Sequence, residues 1–114
     1  MIRFALASPS PLVRAGLAAG LGAQGDCTVL LSAATLAELA EAGYGGAEIV
    51  VVDAGSEGDG ELDAVALAGP RFIVLAGAAD DRVGEWLIDG CSVLPSGASA
   101  DEVAGAARHP ASSR

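Results

Sequence analysis

Ile49-Val50-Val51-Val52 is an unbroken apolar run of β-branched residues that ends in a carboxylate, Asp53. Such a run, without polar alternation, predicts a strand buried on both faces. Strands of that kind belong to parallel sheets with helices above and below. Ala54-Gly55 then starts a loop. In open parallel sheets, ligands and reactive groups gather outside the carboxyl ends of the strands. Asp53 stands at such an end, which makes it the first candidate for chemistry.

The rest of the chain alternates in the same sense. Ile2–Ala7 predicts a first strand. Ser10 is placed to cap a helix with Pro11 at its first position, and Val13, Leu17 and Leu21 recur every four residues on one face. Gly22 and Gly25 close that helix. Cys27–Leu31 predicts a second strand. Thr35-Leu36-Ala37-Glu38 is a capping box opening a helix with Leu36, Leu39 and Ala40 inward, and Gly43, Gly45 and Gly46 stop it. After the Asp53 strand, Glu61–Ala68 predicts a short helix and Arg71–Ala76 a fourth strand. A helix from Asp80 or Asp81 carries Val83, Trp86 and Leu87 on one side, with Gly90 after it. Cys91–Leu94 predicts a fifth strand ended by Pro95. Ser99-Ala100-Asp101-Glu102 is a second capping box, for a last helix through about Arg108.

Five strand–helix units in strict alternation, with right-handed crossovers, give a doubly wound parallel sheet. The flavodoxin-like order 2-1-3-4-5 is the natural solution for 114 residues. One domain, residues 1–108, accounts for the pattern; residues 109–114 read as a tail or the start of a linker.

Charge and composition exclude several classes of function. The net charge is −9, and all six basic residues are arginine. A chain this acidic is not expected to bind nucleic acid through its own surface. No stretch is long and apolar enough for a membrane span, and Pro9, Pro11 and Arg14 interrupt the start as a secretion signal. A cytoplasmic domain is expected. Cys27 and Cys91 lie in apolar runs and read as buried free thiols. With His109 they give no zinc spacing. No nucleophile–base pair or cofactor fingerprint marks an enzyme: Ser8 and Ser10 lack a hydrolase elbow, and Gly43-Tyr44-Gly45-Gly46 lacks the spacing and lysine of a phosphate loop. Glu57, Asp59, Glu61 and Asp63 read as solvated carboxylates of a loop and helix start.

Three segments, in this order, resemble the receiver domain of bacterial response regulators, in particular the receivers of LuxR-type transcriptional regulators. Ser10-Pro11-Leu12-Val13-Arg14-Ala15-Gly16-Leu17 is similar to that subgroup's His-Pro-Leu-Val-Arg-x-Gly-Leu. Glu48–Asp53 matches its third strand, and Gly97-Ala98-Ser99-Ala100-Asp101-Glu102 its entry into the last helix. The resemblance implies a CheY-like fold. It also implies phosphoryl transfer from a histidine kinase to an aspartate, helped by a divalent metal, an acidic pair after the first strand, a Thr or Ser after the fourth and a Lys after the fifth.

Carried over one position at a time, Asp53 matches the phosphoacceptor. The acidic pair falls on Ser8 and Pro9. The hydroxyl position falls on Ala76. The lysine position falls on Ser96, or on Leu94 if Pro95 marks the family's Lys-Pro, and this chain has no lysine. The aromatic switch position falls near Val93. The expected pocket, formed by Ser8, Pro9, Gly55, Ala76 and Ser96, is therefore degenerate. Mg²⁺, which prefers several hard oxygen ligands, would have Asp53, a carbonyl near Gly55 and water, so weak or absent binding and no cofactor are expected. A phosphoryl dianion beside the acidic loop would meet no cation.

The expectation is an atypical receiver: a regulatory and dimerisation module that does not depend on phosphorylation. Two alternatives stand beside it, a weakly phosphorylatable receiver using Asp53 and a small-ligand-binding pseudo-receiver. Asp53 also has a bland reading, as a residue that caps the loop after its strand. By the same resemblance the interface lies on the fourth helix, fifth strand and last helix, with Arg82, Glu85, Trp86, Asp89, Asp101 and Glu102 in those elements. Trp86 equally reads as a core edge, and His109 as a solvated helix end. The expected partners are a second copy and a DNA-binding domain C-terminal to Arg114.

Overall fold

In the computed structural model, which describes residues 1–53, 71–76, 92–95 and 97–108, the apolar runs become the strands of one sheet. In chain order the elements are β1 (Ile2–Ala7), α1 (Pro11–Gly22), β2 (Cys27–Ala33), α2 (Leu36–Glu41), β3 (Ile49–Asp53), β4 (Arg71–Ala76), β5 (Ser92–Pro95) and α3 (Ala100–Arg108). The sheet is parallel throughout, in the order β2-β1-β3-β4-β5. This is the doubly wound order expected from the alternation. The helices expected at Glu61–Ala68 and from Asp80 or Asp81 lie outside the described residues, as do Cys91, His109 and the tail.

Successive side chains of a strand point to opposite faces, so each central strand feeds two cores. Ala5, Ala7, Val50, Val52, Phe72 and Val74 pack with Leu39 on the α2 side. Phe4, Leu6, Ile49, Val51, Ile73 and Leu75 pack on the other side, against Leu17 and Leu21 of α1 and Val103, Ala104 and Ala107 of α3. The four apolar residues of β3 are no more than 3% exposed, so the strand is covered on both faces as its composition requires. The chain's two phenylalanines divide between the two cores and are the largest buried side chains among the described residues.

The helix starts follow their capping residues. Ser10 Oγ accepts from the Val13 N–H at 3.3 Å, ahead of Pro11. The Ser99–Glu102 box closes in both directions, at 3.2 and 2.8 Å. In the Thr35 box the Glu38 N–H reaches Thr35 Oγ1 at 3.2 Å, while the Glu38 carboxylate accepts from Ala34 N–H, one residue before the cap. Arg71 clamps the end of α3 by donating to the carbonyls of Ala106 and Ala107, which satisfies acceptors that a helix C-terminus leaves open. Arg108, in the last turn of α3, pairs with Asp26 at 2.7 Å. The guanidinium holds the Asp26 carboxyl well below the usual carboxylate range.

Two features depart from the sequence reading. β2 runs two residues beyond Leu31, because Ser32 and Ala33 still pair with Leu6 and Ala7 after a register shift that skips Leu30. The α2–β3 turn is left-handed at Tyr44 (φ 58°) as well as at its glycines. A non-glycine residue in that region costs about 1–2 kcal/mol. Tyr44 sets its ring edge-on to Phe72, with centroids 6.1 Å apart, and such a pair offsets about 0.5–1.5 kcal/mol of that strain.

Helices α1 and α3 touch through the absence of a side chain. A Cβ placed on Gly20 would fall on the Cβ of Ala100. Gly20→Ala is therefore expected to lower stability by about 1–3 kcal/mol through overpacking, despite the better helix propensity of alanine. A urea titration checks this: the midpoint should fall, whereas Gly16→Ala, with open space around it, should raise it slightly.

Candidate functional site

The register that pairs Ala7 with Val52 brings the ends of β1 and β3 side by side. Ser8 follows β1, and Asp53 ends β3, half-buried. Ser8 is 2% exposed and is the one buried polar side chain among the described residues. Its hydroxyl donates to Asp53 Oδ2 at 3.1 Å and accepts from the Ser10 N–H at 3.2 Å. Its backbone is tied as well: the Ser8 N–H donates to the Ala33 carbonyl at 3.1 Å, and the Ser8 carbonyl accepts from Arg14 Nη1 at 2.9 Å. The Ser8 hydroxyl thus has both a donor and an acceptor partner, as a buried polar group requires.

The other predicted positions divide by what is described. Pro9, exposed, follows Ser8 and brings no side-chain oxygen. Ala76 ends β4 opposite Pro95, one residue beyond the Leu75 that pairs with Asp53. Leu94, the alternative lysine position, packs into the core on the α1 side. Gly55 and Ser96 lie outside the described residues, as do Arg82, Glu85, Trp86 and Asp89 of the candidate interface. Asp101 and Glu102 occupy the exposed first turn of α3. Asp101 accepts from Gln24 Nε2 at 2.6 Å, and Glu102 closes the Ser99 cap.

The described donor set at this end of the sheet is one carboxylate, Asp53, and one neutral hydroxyl whose proton is turned toward it. Among the described residues no three His, Cys, Asp or Glu side chains gather where they could hold a metal ion. Octahedral Mg²⁺ wants several oxygen lone pairs aimed inward, and a hydroxyl proton aimed at the one carboxylate among the described residues here does not supply one. These residues do not fit the metal that the family resemblance implies. Sequence reasoning put Ser8 and Asp53 at the ends of adjoining strands but did not foresee their hydrogen bond or the part of Arg14. The Ser8-x-Ser10 spacing, suited to a local hydroxyl turn, was the one available signal.

Neither the protein-family models nor the curated proteins include a match to this chain. Solved structures do match. The non-phosphorylated receiver domain of the stress response regulator RcsB from Escherichia coli superposes with a TM-score of 0.81 at 14% identity, over 94% of this chain and 90% of that one. The response regulator ChrA of a heme-sensing two-component system matches with a TM-score of 0.66 at 26% identity, over 94% of this chain and 55% of that one. The chain thus spans about half the length of ChrA. Both neighbours are response regulators matched through their receiver fold, and the resemblance read from the sequence is borne out. Among the described residues no helix is long and apolar enough to cross a membrane.

Proposed function

We propose that this receiver-fold chain is the regulatory module of a bacterial transcriptional regulator, that it works through protein–protein contact, and that it does so without phosphoryl transfer to Asp53. The observation that carries the reading is the Ser8–Asp53 hydrogen bond. At the position where the resemblance implies a metal-holding carboxylate, a buried hydroxyl donates to the phosphoacceptor carboxylate instead. That bond competes for the oxygen that would attack phosphorus or bind the cation. A phosphoryl group on Asp53 would displace the Ser8 donor without gaining a lysine, since the chain has none.

An NMR amide titration, first with Mg²⁺ and then with beryllofluoride as a mimic of the aspartyl phosphate, tests this. Amide shifts that never saturate are the expected result. Saturable shifts at Ser8, Asp53 and Ala76, or stoichiometric labelling of Asp53 by acetyl phosphate, would overturn it and establish a slow but working receiver. Saturable shifts with an organic ligand alone would move the assignment to a ligand-binding module.

A further inference from the structure

We infer that the free edge of β2 is the surface through which two copies of this chain associate, by antiparallel strand pairing across a two-fold axis. Among the described strands, β2 closes one edge of the sheet and β5 the other. β5 is four residues long and ends in Pro95, and both features blunt an edge. β2 has neither defence. It is seven residues long, and Cys27–Ala33 holds no proline and no charged side chain. The Ala33 carbonyl faces β1, where it accepts from the Ser8 N–H. Backbone groups of successive strand residues point to opposite edges, so the N–H and C=O of Ser32 point outward.

The register shift sets what that edge presents. Val29 packs on the α1 side of the sheet and Leu31 on the α2 side, so Leu30 is the extra residue between them. A bulge re-aims a side chain, and Leu30 is left 44% exposed at the middle of the strand.

The charges at the two ends of the strand select the occupant. Before its start, Asp26 is paired with Arg108, whose side chain is 38% exposed. Past its far end, the exposed Glu38 accepts from the Ala34 N–H. Antiparallel pairing centred on Leu30 sets residue 26 of one copy opposite residue 34 of the other. Arg108 of each copy then lies beside Glu38 of the second copy, and nothing charged lies between the two ends. A parallel pairing would set Glu38 level with Glu38 and lose both matches. The pattern is self-complementary, as an isologous two-fold contact requires. Seven residues of strand span about 23 Å, a small contact, and the net charge of −9 on each copy opposes it. The association is accordingly weak and concentration-dependent. It rests on the chain acting through contact, and its failure would leave the reading of Asp53 intact.

Sedimentation equilibrium of the wild-type chain up to about 1 mM, the weak end of specific association, is the experiment, repeated with Leu30→Lys, Glu38→Gln and Ala19→Glu. Amide hydrogen exchange at Ser32 is followed over the same range of concentration. Lysine suits an exposed edge position, and glutamine keeps an acceptor for the Ala34 N–H, so circular dichroism should show unchanged folds. The expected result is a wild-type dimer that Leu30→Lys weakens at least tenfold and that Ala19→Glu, on α1, leaves unaltered. Glu38→Gln should weaken it about two- to fivefold, the range of an exposed ion pair. The Ser32 N–H should exchange more slowly as concentration rises, and the Ala33 N–H, already turned to β1, should change less. A wild-type chain that stays monomeric overturns the inference, as does a dimer with no slowing at Ser32. So does a dimer indifferent to Leu30→Lys or broken by Ala19→Glu. Indifference to Glu38→Gln overturns the antiparallel arrangement.

Discussion

Ser8→Asp should make the stability of this fold follow the Mg²⁺ concentration. The position is 2% exposed, and its hydroxyl now donates to Asp53. An aspartate there removes that donor and sets a second carboxylate against the first. Two carboxylates sharing a site cannot both ionise without penalty, and the proton affinity of one rises. Leaving a charged acceptor without its hydrogen-bond donor costs about 1–3 kcal/mol or more, and the like charge adds to it. Asp53 is half-buried, so about 2–3 kcal/mol is expected at neutral pH. Mg²⁺ bound between the two carboxylates should recover that loss, by about 2.7 kcal/mol at a hundred times its dissociation constant. Thermal melts with chelator and with millimolar Mg²⁺ read both halves: the variant's midpoint should move with the metal, and that of the wild type should stay fixed. If the variant matched the wild type in chelator, the Ser8–Asp53 bond would not hold the site as described. Ser8→Asn, which keeps a donor and adds no charge, separates charge from size.

The other large effect is expected at Phe72. It is 3% exposed in the α2-side core, paired with Val50 of β3 and edge-on to Tyr44. Phe72→Ala should cost about 3–5 kcal/mol, the sum of lost burial and the cavity left behind. The Tyr44 contact goes too, and with it the compensation for that residue's left-handed backbone. Against the ~5–15 kcal/mol that holds a small domain together, the change brings the protein close to its unfolding limit. Phe72→Leu fills most of the space and should cost roughly a third as much. Urea midpoints at constant slope measure both. A cost below about 1 kcal/mol for the alanine would mean that the α2 side is loosely packed and that the sheet is held chiefly by the α1 and α3 side.

The strand order was legible before any coordinates, because five alternating units of this length leave few ways to wind. β3 was legible residue by residue, since four consecutive β-branched side chains have no wet face to offer. The extension of β2 was not, because Ser32 is exposed and its membership rests on backbone pairing with Leu6, which hydropathy does not record. The register shift at Leu30 escaped for the same reason. At the site, the positions of Ser8 and Asp53 followed from strand ends. The direction of the Ser8 proton did not, because it depends on Ser10 N–H already occupying one lone pair. Tyr44 defied its residue type: only the ring of Phe72, distant in sequence, explains a tyrosine in a glycine conformation.

The place of β1 in the sheet also governs how the chain survives its own synthesis. β1, made before both of its neighbours, is an interior strand flanked by β2 and β3. Its β2 edge closes locally, across one helix. Its other edge, the fully apolar Phe4–Ala7, waits for Ile49–Asp53. At about 5–20 residues per second the missing stretch takes roughly 2–8 s to appear. Throughout that interval the nascent chain presents an open, greasy edge of the kind that recruits foreign strands. Substitutions that delay β3 docking lengthen the exposure, and they register as lost yield and inclusion bodies before any melting temperature records them.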